Sequence, residues 1–495
     1  MPRRHPARLP LSSLLRARTL CLALTLCLSG CLSLEEALAR QAREVATQQL
    51  SQAYDRADQA AQQEGADRAF WHAEAGTLAL WLGESAQSLR HLADAEEEIH
   101  DLARRRYGAS ATDTAKALAL NDCALPYAPY EPELTFLNLY KALAYGALGN
   151  PGAMRVELNR VRQRQFAWFV RCAGKIAETE MPTGRLSKEE RQAVRSVADQ
   201  AAQETPRLDP ALASAVSAER PAAVTAFAPL QGFGNAYAAH LTGVVRWCAG
   251  DAPRNDLALA AALAPASRIA AADAALNAQG QMADARVWIY VEDGLAPKRI
   301  ARPFTLPYPS IAGRARGVGT ISFDVPKLVP RAAAAPGYTA EGVPLEVLTE
   351  VDPLIERAFE HAWPGMLARQ VARTLLRVAL HEGGQGVLRA TGQRGSAQAD
   401  ALALLWSLIV GVYDIGTNAA DLRCADLLPK RVWVGSLPRP AAGALTLCPT
   451  GGRALRIPLG EAQQTLVWVR YPAPGTEPTV LVLPLSPDAA AEALP

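Results

Sequence analysis

The chain has 495 residues, 51 Lys and Arg against 49 Asp and Glu, and a composition that is 49% apolar. That length supports a sizeable core in two or three domains. The near-neutral balance gives no electrostatic footprint for nucleic acid, so no nucleic-acid partner is expected.

The first element is the stretch TLCLALTLCLSGC, residues 19 to 31. Arg3, Arg4, Arg8, Arg16 and Arg18 precede it and no acid does. A membrane-crossing helix needs about 20 apolar residues. A shorter apolar core behind a basic segment has the layout of a secretory signal. Leu28, Ser29, Gly30 and Cys31 resemble a bacterial lipobox. The resemblance implies cleavage between Gly30 and Cys31 and acylation of the Cys31 thiol; the other reading is an ordinary signal with a chance cysteine. Removing residues 1–30 leaves 46 basic against 49 acidic residues, a net charge of −3. The expected membrane partner is therefore the lipid bilayer, reached through acyl chains on Cys31 rather than through a basic patch. Leu32, not Asp, follows Cys31. In lipoproteins of this kind that implies the outer membrane, here facing the periplasm.

Residues 31–180 are expected to form helices. Leu38, Ala42, Val45 and Ala46 recur at helical spacing, as do Trp71, Ala75, Leu78 and Leu82. Leu89, Leu92, Ile99 and Leu102 continue the pattern, with Glu96 as its polar exception. Phe136, Leu139, Tyr140, Leu143 and Ala147 form another face, and Pro132 sits near that helix's start, where its missing N–H is harmless. Met154, Leu158 and Val161 face back from the next helix. Gly83 and Gly149 end the first helix of each pair, and the spacing Ala142, Tyr145, Gly149 is tetratricopeptide-like. Gly76, Ala79 and Gly83 offer a degenerate second copy. Generic helix pairs are the alternative.

Residues 181–230 are rich in Ala and Pro and read as a linker. Helices resume over 231–284. From 285 to 495 the period changes to that of strands. RVWIYVEDG, KRIARPFTLP, GVGTISFDVP, RVWVGSLP, GALTLCP, RALRIPLG, TLVWVRYP and TVLVLPL are the candidates, with a helical insertion near 345–420. The apolar run ALALLWSLIVGVY, residues 401–413, has the length of a buried helix rather than a span. The predicted fold class is α+β and multidomain: tetratricopeptide-like hairpins followed by a β-rich domain with a helical insertion.

Motifs that could carry chemistry are incomplete. HEGGQ at His381 lacks the second His of a zinc protease, and GRARGVGT at 313–320 lacks the Lys-Ser/Thr pair of a phosphate loop. No GxSxG is present. No metal site, no cofactor and no catalytic residue is assigned. Glu292 and Asp293 are read as a solvated turn whose side chains point apart, and DAEEEIHD, residues 94–101, as the wet side of a helix. His72 and His91 are placed on adjacent helices of one hairpin. Besides Cys31, five cysteines remain in the processed chain: Cys123, Cys172, Cys248, Cys424 and Cys448. Cys424 and Cys448 flank the candidate strands RVWVGSLP and GALTLCP. A hairpin through SLPRPAAG would bring them into a disulfide worth roughly 3 kcal/mol of loop closure.

The lipobox, YEPELTFLNLYKALAYGALGN, FGNAYAAHLTG, RVWIYVEDGLAPKRI and ADLRCADLLPKRVWVGSLP occur in one order. That order resembles an uncharacterised family of bacterial lipoproteins with tetratricopeptide-like helices, often encoded beside a penicillin-binding-protein activator. Many members have Trp where this chain has Cys424. The resemblance transfers no catalytic residue and implies only an association with cell-wall work. The expected function is that of a lipid-anchored envelope scaffold or binding protein with an envelope protein partner. Trp71, Tyr140 and Tyr145 are candidate contacts, with core packing as the competing role for each. A periplasmic hydrolase of peptidoglycan or glycan and a surface-exposed adhesin are the alternatives.

Overall fold

A computed structural model describes residues 34–107, 125–176, 234–251, 255–281, 285–310, 317–363, 366, 370 and 420–485. The lipobox with Gly30 and Cys31, the linker, His381 and the run 401–413 lie outside these residues. The described helices before the sheets are α1 (34–46), α2 (Leu50–Ala61), α3 (Arg68–Trp81), α4 (Ser85–Tyr107), α5 (Glu131–Ala147), α6 (Pro151–Ile176), α7 (Ala236–Cys248), α8 (Asn255–Leu263) and α9 (Arg268–Ala278). From α2 to α9 each packs against its neighbour in sequence, giving the expected array of helical hairpins.

Four of these helices stop by the same device. Gly83, Gly149, Gly250 and Gly280 follow α3, α5, α7 and α9 with φ of +81°, +69°, +74° and +67°. In each case the next N–H reaches back to a carbonyl five residues earlier: Glu84 to Ala79, Asn150 to Tyr145, Asp251 to Arg246 and Gln281 to Leu276. This is the glycine-terminated Schellman end, which satisfies the last carbonyls and turns the chain back. Asn150, Asn235 and Ser267 then cap the starts of α6, α7 and α9 by accepting from Ala153, Ala238 and Ala270. Close approach also recurs. A Cβ on Gly76 would lie 2.6 Å from Cγ of Leu92, and one on Gly243 would lie 2.5 Å from Cγ of Leu257. Gly243 and Gly250 thus repeat the relation of Gly76 and Gly83, a third copy beyond the two visible from spacing.

The strands are β1 (Arg286–Asp293), β2 (Lys298–Ser310), β3 (Gly317–Val329), β4 (Tyr338–Ala340), β5 (Val343–Pro344), β6 (Glu346–Glu350), β7 (Arg431–Pro438), β8 (Ala444–Pro449), β9 (Leu455–Pro458), β10 (Gln464–Tyr471) and β11 (Thr479–Pro484). All eight sequence-predicted strands are present. The three short strands β4 to β6 were not anticipated, and β6 falls inside the stretch expected to begin the helical insertion. They are brief and are interrupted by the turn at Gly342, so they carry too little alternation to register. A helix, α10 (352–363), follows directly.

One sheet has the order β11-β10-β1-β7-β6, with β1 and β10 parallel and the other pairs antiparallel. A second has the order β5-β4-β8-β9, and β2 with β3 forms a separate ribbon. Side chains on a strand alternate between faces. Trp288, Tyr290, Leu466, Trp468, Val432 and Val434 join the helices in one core. Val287, Ile289, Val291, Val467, Val469 and Trp433 join Tyr338, Leu445, Leu447 and Ile457 of the second sheet in another. The result is three layers: helices, five-stranded sheet, four-stranded sheet. The boundary expected at residue 285 therefore falls inside a shared core.

Candidate functional site

Covering both faces of β1 overturns the solvated-turn reading of Glu292 and Asp293. They do point apart, but each is fully buried in its own layer. Asp293 faces the smaller sheet. Its Oδ1 accepts from the N–H groups of Ala334 (2.7 Å) and Ala335 (3.1 Å) and from the Tyr338 hydroxyl (3.0 Å), and Arg431 Nε donates to Oδ2 at 2.8 Å. Glu292 faces the helices. It accepts from Tyr140 (2.9 Å), Tyr237 (3.2 Å) and Trp468 Nε1 (3.0 Å), with Arg470 Nε 3.8 Å away. Burial pushes the Glu292 carboxyl up; Arg470 and the three donors oppose that without cancelling it. The Arg470 guanidinium donates to the carbonyls of Glu292, Tyr471 and Leu427 and lies over the Trp81 ring.

Along the same face of β1, Trp288 Nε1 donates to Asp273, whose carboxylate lies 3.2 Å from Nε2 of His240. Nδ1 of His240 is 2.7 Å from the Tyr290 hydroxyl. Glu74, Glu133 and Asp426 extend this buried polar seam. Burial raises all three carboxyls; Asp426 adds to the rise at Glu74, while Arg299 opposes it at Glu133 and Arg331 at Asp426. Glu74 and Glu133 line a cavity of about 30 Å³ with Thr77 and Tyr127. That is room for one water molecule.

The open site is elsewhere, between α4, α5 and α6. A groove of about 760 Å³ is lined by Glu96, Glu97, His100, Glu131, Lys141, Arg160, Gln163 and Arg164. Its floor is a charged network. Glu96 accepts from Lys141 Nζ at 2.6 Å, Arg164 at 2.7 Å and Asn138 at 3.0 Å. Lys141 also lies 3.0 Å from Glu157, which accepts from Asn138 and Arg160 at 2.8 Å each. Arg164 donates through Nε to Asn138. Burial pushes the Glu96 carboxyl up, but the donors from Lys141 and Asn138, together with the Lys141 charge, outweigh it and bring it down to about 2. The segment DAEEEIHD is therefore not uniformly wet: Glu96 turns inward on the stripe where it stood as the polar exception. The rim stays available, with 46% of the Arg160 side chain and 57% of the His100 side chain exposed and Glu97 exposed beside them.

Trp71 and Tyr140, two candidate partner contacts, are buried; Trp71 stacks edge-on against Phe70 and Tyr140 binds Glu292. Tyr145 is half-buried against the same core. His72 and His91 lie on α3 and α4 with their Nδ1 atoms 3.1 Å apart. The Cys424–Cys448 bridge is corrected: both are free thiols. The hairpin that would join them does not form, because β7 pairs with β1 and β6 while β8 belongs to the other sheet. Cys424 lies against the Pro297 carbonyl, where burial pushes its thiol up to about 12, whereas Cys448 sits opposite Thr339. Among the described residues no group of three or more His, Cys, Asp or Glu could hold a metal ion, and no helix is long and apolar enough to cross a membrane.

Comparison with protein-family models, with curated proteins and with solved structures gives no match.

Glu74, Glu133, Lys141, Glu157, His240, Asp273 and Arg470 were not singled out from sequence. A signal existed for some: Glu74 interrupts AFWHAEAGTLALW, and Arg470 follows the apolar run LVWV within a strand. An ionisable residue inside a stretch buried on every side requires a partner.

Proposed function

We propose that this chain is a binding or scaffolding protein of the bacterial envelope, anchored through lipid on Cys31, whose helical array docks a protein partner. The observation that carries the docking reading is the groove between α4, α5 and α6. Its floor charges are mutually satisfied, so the network is a rigid base, while His100, Glu97, Gln163 and the exposed part of Arg160, which also pairs with Glu157, form the rim that would meet a partner. Stacked helical hairpins present extended surfaces of this kind. A hydrolase reading draws less support, because the cavity beside the buried carboxyls of Glu74 and Glu133 is far smaller than a sugar ring. Tethering to a membrane raises the effective concentration of a partner held at the same surface, so weak rim contacts suffice.

The test uses the full chain in cells with a photo-crosslinking residue at position 163. A discrete adduct that is lost on Arg160→Glu supports docking in this groove. A crosslink pattern unchanged by Arg160→Glu refutes it. Turnover of peptidoglycan by the purified chain, abolished by one carboxylate substitution, would replace the binding reading with an enzymatic one. Failure of Cys31→Ala to block fatty-acid labelling would remove the anchor.

A further inference from the structure

A second groove, between α6, α7 and α8, is lined by a buried glutamine whose amide nitrogen has no hydrogen-bond partner. Val161, Ala238 and Leu259 contribute apolar walls to a space of about 750 Å³. Gln165 lines it, is only 5% exposed, and its Nε2 has no hydrogen-bond partner. Buried amide nitrogens are almost always paired. Next to it on the lip stands Phe166, at 69% the most exposed large apolar side chain among the described residues. The charged residues lining the groove are Arg162 and Asp256, one of each sign, so the surface suits an uncharged occupant.

We propose that this groove takes an extended peptide segment of a partner protein, with one peptide group paired to the Gln165 carboxamide and an adjacent apolar side chain covering Phe166. A carboxamide sets a donor and an acceptor side by side. A peptide group offers the complementary acceptor and donor, and does so whichever way the carboxamide is turned. An acyl chain offers no acceptor to the unpartnered Nε2, and an anion gains no net charge attraction from Arg162 and Asp256. The volume lies in the ordinary range for ligand pockets, about 300–1,000 Å³. Gln163 lines both this groove and the charged one, so a single partner segment crossing α6 can reach both. The inference rests on the docking reading of the helical array but assigns a different site and a different chemistry.

The experiment titrates the purified full-length processed chain, labelled with ¹⁵N, with the capped dipeptide acetyl-Leu-Leu-amide. The side-chain amide signals of Gln165, assigned by their loss in Gln165→Met, should shift saturably. Gln165→Met should weaken binding at least about fivefold through the lost hydrogen bonds. Phe166→Ala should weaken it about threefold through lost apolar contact; this position is exposed, so the variant folds even if Gln165→Met does not. No saturable shift, unchanged affinity of Gln165→Met, or equally tight binding of hexanol in place of the dipeptide would each overturn the proposal. Because the dipeptide is measured directly, a negative result alongside a positive crosslink at position 163 removes this inference and leaves the docking reading standing.

Discussion

Replacing Glu96 by Gln isolates what the groove floor contributes. Glutamine keeps the shape of the side chain and removes its charge, so it resembles the protonated acid. The carboxyl titrates near 2 instead of the 4.5 of an unperturbed glutamate. By linkage that interval corresponds to about 3 kcal/mol of stability at neutral pH. Solvent at the open mouth of the groove screens part of it, leaving about 2 kcal/mol. The sign follows from the direction of the shift. A depressed carboxyl stabilises the folded chain above its unfolded value, and that stabilisation is lost as pH falls towards its folded value. Urea unfolding of the two proteins should therefore differ by about 2 kcal/mol at about pH 6, and by less than about half of that at about pH 3. A difference below about 0.5 kcal/mol at the higher pH, or one that does not change with pH, would show that Lys141, Asn138 and Arg164 do not hold an ionised carboxylate.

Glu292→Leu leaves Tyr140, Tyr237 and Trp468 without their acceptor and the buried Arg470 charge without its counter-charge, and should cost about 4 kcal/mol or more; adding Arg470→Met should recover at least about 2 kcal/mol, and a strictly additive double variant would contradict the pairing. Gly243→Ala drives a Cβ to 2.5 Å from Leu257 and should lower stability by about 1–3 kcal/mol, seen as a drop in Tm. Burial raises the Glu74 carboxyl, so its contribution is full at acidic pH and is lost as pH rises through the raised value. Relative to the native chain, Glu74→Gln should accordingly gain stability as pH rises, and a difference that does not change with pH would refute the buried acid. Cys424 and Cys448 should both alkylate in unfolded, unreduced protein, and protection of the pair would restore the disulfide.

Much of the architecture is written in local pattern. Alternation bounded by Gly and Pro marks eight of the strands, and glycines after apolar helices mark the hairpins. What escapes is anything decided by the covering of β1. A Glu-Asp-Gly sequence at the end of a strand reads locally as a wet turn. Only the arrival of α5 and α7 on one face and the β4–β8 sheet on the other makes both acids interior. Glu96 is the intermediate case. Its place on an apolar stripe was visible, but its partners Lys141 and Glu157 stand on two later helices and no spacing rule connects them. Gln165 is subtler still, since a glutamine beside an exposed phenylalanine has the composition of any helix surface.

The position of β1 also has a temporal consequence. Its two sheet neighbours, β7 and β10, begin at Arg431 and Gln464, and the Trp81 carbonyl of α3 waits for the hydroxyl of Thr479, 398 positions away. A chain growing from its N-terminus must therefore carry Trp288, Ile289 and Tyr290 without a ladder on either side until residues 431 and beyond are made. Such distant pairing is slow and leaves sticky edges open meanwhile. The helical hairpins, closed by short glycine turns, assemble early and offer those strands an apolar surface to rest on. On that ordering, damage to the array would appear first as aggregation during synthesis rather than as loss of the finished fold.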